Sequence, residues 1–205
     1  MKMLWRRVFP LTLIALLISC NGANHRDQIK TRILHERQEK DRYFLANENS
    51  PLSGEEKSRF DGLQYFPVDL NYRFVATFHP YSSVDTIVMA AGKDHRRPFL
   101  RWGEFEFSVN GHRGKLHVYK PLKVDDGYHP YYFIPFYDQT NGAQTYGGGR
   151  YLDVPVRDTH KYVIDFNRAY NPYCAYDADR WVCPLPPQEN ALDFAIQAGE
   201  KIPQM

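Results

Sequence analysis

The chain has 205 residues, with 26 Lys and Arg against 24 Asp and Glu and a formal charge of +2. Loss of the first 19 residues, argued below, removes Lys2, Arg6 and Arg7 and leaves 186 residues with a charge of −1. A near-neutral chain of this size predicts one domain and argues against nucleic acid as a partner, because neutralising phosphates requires clustered Lys and Arg.

The first nineteen residues have the layout of a secretory signal. A basic start precedes an apolar run at 8–18, which is roughly half of the ~20 residues that a membrane-spanning helix needs. The run ends in Leu17, Ile18, Ser19 and Cys20, which resembles the lipobox of bacterial lipoproteins. In that signal the cysteine receives a diacylglyceryl group and the peptidase cuts before it. We expect a signal peptide over 1–19; the alternative is a secreted protein with a chance cysteine.

A lipidated Cys20 predicts where the protein is found. Each buried methylene contributes about 0.8 kcal/mol, so two or three acyl chains, palmitate among them, hold a soluble domain on a bilayer. We expect a bacterial envelope protein whose partner is the membrane. Asn21 favours the outer membrane, because an aspartate at this position often signals retention in the inner membrane.

Two helices are predicted before the strands begin. Residues 20–50 are highly charged and indicate a helical spacer, with a polar helix over about 27–45. Ser53 and Glu56 have the spacing of a capping box, and Gly62 suits the exit of a short helix. We place a single, mainly β domain at 51–205.

About seven strands are predicted between residues 70 and 167, where β-branched and aromatic runs alternate with turn residues. Asn110 and Gly111 favour a type I′ hairpin turn, which sets Phe105 opposite Leu116. A final helix is expected over about 188–198, with Leu192, Ala195 and Ile196 inward. The predicted fold is mainly β: an antiparallel barrel or sandwich with an N-terminal helical segment and a short C-terminal helix.

Cys174 and Cys183 remain if the lipid occupies Cys20, and an exported protein favours joining them. A disulfide that closes a loop of about 10 residues stabilises a fold by roughly 2.5 to 3 kcal/mol on the chain-entropy model. The alternatives are a metal site or a reactive thiol pair. Neither cysteine has a histidine nearby at ligand spacing, so no metal is expected, and no cofactor motif is present.

The C-terminal half resembles a catalogued bacterial family. The matching runs are, in chain order, FYDQTNG at 136–142, TY at 145–146, GRYL at 149–152, DFNRAYNP at 165–172, CAY at 174–176, CPLPP at 183–187, N at 190 and AGE at 198–200. Together they are similar to domain of unknown function 1684, over roughly residues 40–202. The resemblance implies membership and carries no established activity or ligand.

Two polar segments, 138–150 and 165–176, are the candidate binding face. The candidate ligand-binding residues are Tyr146, Arg150, Asp165, Asn167, Tyr170 and Asn171. In the competing interpretation the glycines of the first segment serve a turn, and the Asx side chains brace the following loop. Trp102 and Trp181 are candidates for stacking on a sugar if they are exposed.

The first functional hypothesis is a non-catalytic protein that binds a small polar ligand or an envelope protein. The alternative is a hydrolase with Asp165 as base or nucleophile and Arg150 as the group that stabilises charge. A concave pocket around Asp165 favours the enzyme. A buried Asp165 bonded to backbone argues against it.

Overall fold

The computed structural model describes residues 13–92, 94–122 and 131–204, with side chains from residue 24 onwards in those ranges. Most of the predicted signal peptide and the side chain of Cys20 therefore lie outside the described residues. The first helix, α1, spans Leu13–Ala46 and contains the polar helix that was predicted. Among the described helices, none is long and apolar enough to cross a membrane.

Helix α1 packs against the rest of the molecule. Its side chains of Ile33 and Phe44 are buried. Asp41 accepts a hydrogen bond from the backbone N–H of Leu63 at 3.0 Å, and Arg37 donates to the carbonyl of Phe66 at 2.9 Å. The sparse apolar positions of this charged helix thus bind it to the body, and its role as a spacer from a membrane stays a prediction.

A short helix, α2, spans Gly54–Arg59 and begins as predicted. The Ser53 hydroxyl accepts from the N–H of Glu56, while the Glu56 carboxylate accepts from the N–H of Ser53. The backbone N–H groups of Ser53 and Glu56, which have no partner within the helix, are thus both paired. This reciprocal arrangement is the capping box. Leu63 follows the helix and packs beside Phe44.

Six strands form one antiparallel sheet that curls into a nearly closed barrel. They are β1 Arg73–Ala91, β2 His95–Val109, β3 His112–Pro121, β4 Tyr131–Phe136, β5 Arg150–Pro155 and β6 Lys161–Asp165. The order is β5-β4-β3-β2-β1-β6, so consecutive strands are neighbours and β6 returns to pair with β1. The predicted mainly β fold is confirmed.

The structure has six strands where about seven were predicted, and two of them, β1 and β2, continue through irregularities. The register of β1 and β2 shifts between Pro80 and Asp85, and that of β2 and β3 shifts between Arg101 and Gly103. These bulges interrupt the sequence pattern without ending the strands.

The predicted hairpin between β2 and β3 is confirmed. Asn110 and Gly111 have φ of 48° and 83°, as a type I′ turn requires. Phe105 pairs with Leu116, and Glu106 pairs with Lys115. The turn and the alternating pattern therefore set one register.

The predicted C-terminal helix is wrong. Only Gln188–Asn190 form a turn of 3-10 helix, and the chain then runs extended along the barrel. Alternate residues are buried, namely Leu192, Phe194, Ile196 and Ala198, while Ala195, predicted to face inward, is exposed. A period of two is typical of extended chain, and here it outweighed the helix-forming residues.

Candidate functional site

Arg150 begins β5 and is fully buried. Its Nη2 lies 2.7 Å from the Asp138 carboxylate and donates to the carbonyl of Ile196 at 2.8 Å. Its Nη1 donates to the carbonyls of Ala198 and Glu200. Arg150 therefore joins the barrel to the C-terminal segment, and its guanidinium is not presented to a ligand.

The loop between β4 and β5 closes on itself. Asp138 Oδ1 accepts from the N–H of Thr140 at 2.8 Å, and the hydroxyls of Thr140 and Thr145 lie 2.8 Å apart. Gly149 has φ of +88°, and a Cβ at this position would lie 2.5 Å from Cγ of Pro186. These contacts support the turn role of the glycines rather than an anion-binding loop.

Asp165 and Asn167 brace the neighbouring turns. Asp165 is 4% exposed, and its Oδ1 accepts from the N–H and the side-chain amide of Asn167 at 3.1 and 2.9 Å. Its Oδ2 accepts from Arg73 at 2.9 Å. Asn167 in turn bonds both backbone groups of Asp69. With both carboxylate oxygens engaged internally, the geometry supports a brace and gives no support to Asp165 as base or nucleophile.

Asn171 and Tyr146 also make their contacts within the fold. The N–H of Asn171 donates to the Glu200 carboxylate at 2.7 Å, and its side-chain amide donates to the carbonyl of Lys201 at 2.7 Å. Tyr146 is half-buried, and desolvation together with the nearby Cys174 raises its pKa to about 12. The six candidate residues are therefore distributed over separate contacts instead of one cluster.

Two clefts flank Tyr170, between α1 and the chain that follows β6. The smaller has a volume of about 250 Å³ and the larger about 420 Å³. Lys40 and Tyr170 line both, and Asn167 lines the smaller. Of the six candidates, Asn167 and Tyr170 are thus the ones that reach these clefts.

Four of the ten residues that line the larger cleft are aromatic. Tyr151 and Tyr170 are nearly perpendicular, at 88°, with ring centroids 5.7 Å apart. Tyr173 and Trp181 meet at 72° with centroids 5.0 Å apart. Aromatic rings prefer such edge-to-face contacts, so this wall is compatible with a flat ligand ring.

The charged side chains that line the larger cleft, within the described residues, are the cations Lys40 and Arg97. Lys40 Nζ lies 4.9 Å from the centroid of the Tyr170 ring, close enough for a cation–π contact. It also forms an ion pair with Glu200, which lines the smaller cleft. The larger cleft is therefore lined by two cations, of which Lys40 is paired with Glu200.

Asp153 extends the polar chain beside Tyr170. The Tyr170 hydroxyl donates to the Asp153 carboxylate at 2.8 Å. The carboxylate is exposed, and partial desolvation by the surrounding chain raises its pKa to about 6. Desolvation also raises the pKa of Tyr170, followed in effect by the charge of Asp153. A carboxyl group with a perturbed pKa beside a cleft residue is a candidate for a functional role.

The two C-terminal cysteines lie together at the larger cleft. Cys183 is one of its wall residues, and its Sγ accepts a hydrogen bond from the backbone N–H of Cys174 at 3.1 Å. Both are half-buried and are thiols in this structure. Their proximity is what a disulfide requires, and the disulfide itself stays a prediction.

A second polar cluster, at the bulge of β1, was not predicted. The Tyr81 hydroxyl donates to Glu104 at 2.6 Å and contacts His117 Nδ1 at 2.5 Å. Burial lowers the pKa of His117, against the effect of Glu189 and Glu104. Among the described residues, no group of three or more His, Cys, Asp or Glu side chains is placed to hold a metal ion.

The most informative site residues missed from sequence are Lys40 and Arg97. Lys40 is one of many charges in a polar helix, and Arg97 begins a strand pattern among other basic residues. Nothing in either pattern indicates that they meet across the fold. Trp181 was a candidate for stacking, and it lines the larger cleft.

Comparison with known proteins gives a family and a fold. The model of a family described as a protein of unknown function, DUF1684, matches residues 58–201. An uncharacterized protein of Haloarcula marismortui, known from a solution NMR structure, is 34% identical with a TM-score of 0.67. The match covers 87% of this chain and 96% of that one. No curated protein matches the chain. The chain therefore belongs to the DUF1684 family, as the motifs of its C-terminal half indicated.

Proposed function

We propose that this protein is a non-catalytic binding protein whose larger cleft takes a small ligand with a flat ring and an acidic group. The observation that carries the proposal is the composition of the cleft wall. Four aromatic side chains surround a space into which Lys40 and Arg97 bring positive charge. A volume of about 420 Å³ suits a small molecule, since ligand pockets generally span ~300 to 1,000 Å³.

The ring is inferred from the aromatic walls. Tyr173 and Trp181 meet nearly edge to face, as do Tyr151 and Tyr170. A flat ligand placed against either corner stacks on one ring and meets the edge of the other, which aromatic pairs prefer.

The acidic group is inferred from the cations. Arg97 is exposed, and a guanidinium can form paired hydrogen bonds with a carboxylate. Lys40 is held in place by Glu200 and by the Tyr170 ring, so little side-chain entropy is lost when it meets a ligand.

The fluorescence of Trp181 can report ligand binding directly, because this residue lies in the cleft wall. In a background with both Trp5→Phe and Trp102→Phe, which leaves Trp181 as the single tryptophan, titration with 4-hydroxybenzoate is expected to change the fluorescence with a saturable dependence. Neutral 4-hydroxybenzamide is expected to bind at least about tenfold more weakly.

Two substitutions and one control sharpen the titration. Tyr170→Leu and Lys40→Met are each expected to weaken binding of the acid about tenfold or more. Lys30→Met changes another lysine of α1 that is exposed and outside the cleft, and it should leave binding unchanged. Equal binding by all four proteins would show that the ligand binds elsewhere.

We further propose that the protein is tethered to a bacterial envelope membrane through acylated Cys20, with the outer membrane favoured. The support is the basic, apolar and Leu17-Ile18-Ser19-Cys20 layout of the first residues. Labelled palmitate is expected to enter the wild-type protein and not Cys20→Ala, which should leave the membrane fraction. A Cys20→Ala protein that still sediments with membranes would contradict the tether.

A further inference from the structure

The cysteine pair at the larger cleft is asymmetric in its surroundings. Cys183 lines the cleft, whereas Cys174 lies behind it in a turn of 3-10 helix, Tyr173–Ala175. One thiol therefore faces the space that a ligand would occupy, and the other faces the first thiol.

Hydrogen bonds favour a negative charge on Cys183. Its Sγ accepts the backbone N–H of Cys174 at 3.1 Å. The Cys174 thiol also donates to it, which lowers the pKa of Cys183 and raises that of Cys174. Positive charge on Arg97 acts in the same direction on Cys183. A thiol whose pKa is lowered by hydrogen-bond donors and a nearby cation, beside a partner whose pKa is raised, is the arrangement of a nucleophilic and a resolving cysteine.

We propose that Cys183 and Cys174 carry out thiol–disulfide exchange with small disulfides that bear acidic groups. The inference rests on the proposed function in one respect, because the same cleft admits the disulfide. Its cations suit the acidic groups, and its rings suit flat substituents.

The disulfide substrate is the oxidant in this exchange. The Cys183 thiolate attacks one sulfur of the disulfide, forms a mixed disulfide and releases one thiolate. Cys174 loses its proton and attacks Cys183 Sγ, which forms the intramolecular disulfide and releases the second thiolate. The substrate gains two electrons and the cysteine pair loses two. In the reverse direction, the oxidised pair accepts electrons from a dithiol.

The test uses the full chain with Cys20→Ser, so that Cys174 and Cys183 are the two cysteines left to react. Reduced protein is mixed with 5,5′-dithiobis(2-nitrobenzoate), an aromatic disulfide with carboxylates. We expect about two equivalents of coloured thiol from the pair and about one from Cys174→Ser, which stops at the mixed disulfide. Cys183→Ser is expected to react at least tenfold more slowly than Cys174→Ser.

A second measurement keeps the proposal falsifiable if either serine variant folds poorly. The pair with both cysteines present is equilibrated with reduced and oxidised glutathione, and its state is read by alkylation and intact mass. A pair that shifts between thiols and disulfide with the glutathione ratio supports exchange. A disulfide that excess reduced glutathione leaves intact, or serine variants that react equally fast, would overturn it.

The Lys40→Met variant separates this inference from the binding proposal. It should slow the reaction with the carboxylate-bearing disulfide about tenfold more than it slows the reaction with neutral 2,2′-dithiodipyridine. If Lys40→Met reacts with both disulfides at the wild-type rate, while Cys174→Ser still reacts faster than Cys183→Ser, the binding proposal is wrong. The exchange proposal is then still supported.

Discussion

The C-terminal half of this chain builds two polar regions that differ in where their side chains point. The first, here called the buried network, contains Asp138, Thr140, Thr145, Arg150 and Asn190, all buried. The second is the larger cleft, with Tyr170, Lys40 and Cys183 at an open surface. The buried network bonds almost entirely to backbone and to itself, whereas the cleft places aromatic rings and two cations, Lys40 and Arg97, along its wall.

Polar residues in a motif-rich segment therefore need not form a binding site. The extended C-terminal segment carries its own backbone groups into the barrel, where they must find partners. Arg150 satisfies three carbonyls there, and Asp138 accepts from the N–H of Ile196. The buried network is thus a brace, and the recognition surface lies beside it.

The largest effect is expected where the buried network loses its charge pair. Arg150→Met leaves Asp138 buried without its cation and three carbonyls without a donor. We expect a loss of about 3 to 5 kcal/mol in the free energy of unfolding, measured by urea denaturation. Arg113→Met, at an exposed position of β3, should change it by less than about 0.5 kcal/mol. A loss of stability in Arg150→Met no larger than in Arg113→Met would contradict the stabilising role of the buried network.

Asn190 tests the same idea without a charge. Its side chain bonds the N–H and the carbonyl of His117 and the carbonyl of Pro135, at 2.8 to 2.9 Å. Asn190→Ala is expected to destabilise the fold by about 2 to 3 kcal/mol, because these backbone groups lose their partner. Gln188→Ala lies exposed in the same turn and serves as the control in thermal unfolding.

A smaller, pH-dependent effect is expected at Asp153, which accepts a hydrogen bond from the cleft residue Tyr170. Because desolvation raises the pKa of Asp153 from 3.8 to about 6, the folded protein holds its proton more tightly than the unfolded chain. Between those values the folded state binds more protons, so stability falls as pH rises through this window. Asp153→Asn should remove about 1 kcal/mol of that fall, given the solvent access of the carboxylate. Asp158→Asn, in an exposed loop, should leave the pH profile as it is.

The smallest effect is expected at the surface pair between α1 and the barrel. Arg168 lies 2.6 Å from Glu36, and both side chains are largely exposed. Arg168→Ala should cost about 0.5 kcal/mol or less, since solvent and salt screen such pairs. A loss above about 2 kcal/mol would show that α1 is held by this contact rather than by Phe44 and Asp41.

The parts of the fold that follow from local pattern were predictable. The capping box at Ser53 and the turn at Asn110 each depend on neighbours within a few residues, and both are confirmed. The C-terminal helix was mispredicted, because Leu192 to Ala198 fit both a loose helical stripe and a strict alternation. Packing against the barrel, a tertiary feature, decides between the two conformations.

The candidate site was predictable only in part, because it is assembled across the fold. Tyr170 was identified from its polar neighbourhood. Lys40 reaches it from a helix 130 residues earlier in the sequence, and no local pattern marks that meeting. Arg150 looked like a ligand-binding cation in sequence, and burial alone reveals it as a brace.

Amide chemical-shift mapping with 4-hydroxybenzoate locates the bound ligand, since backbone amides along the whole chain report at once. A site in the larger cleft predicts that the largest changes fall at residues 170–184 and around Lys40 and Arg97, with little change at 138–150. Changes centred on 138–150 would contradict it, because they would place the ligand at the segment assigned to the brace.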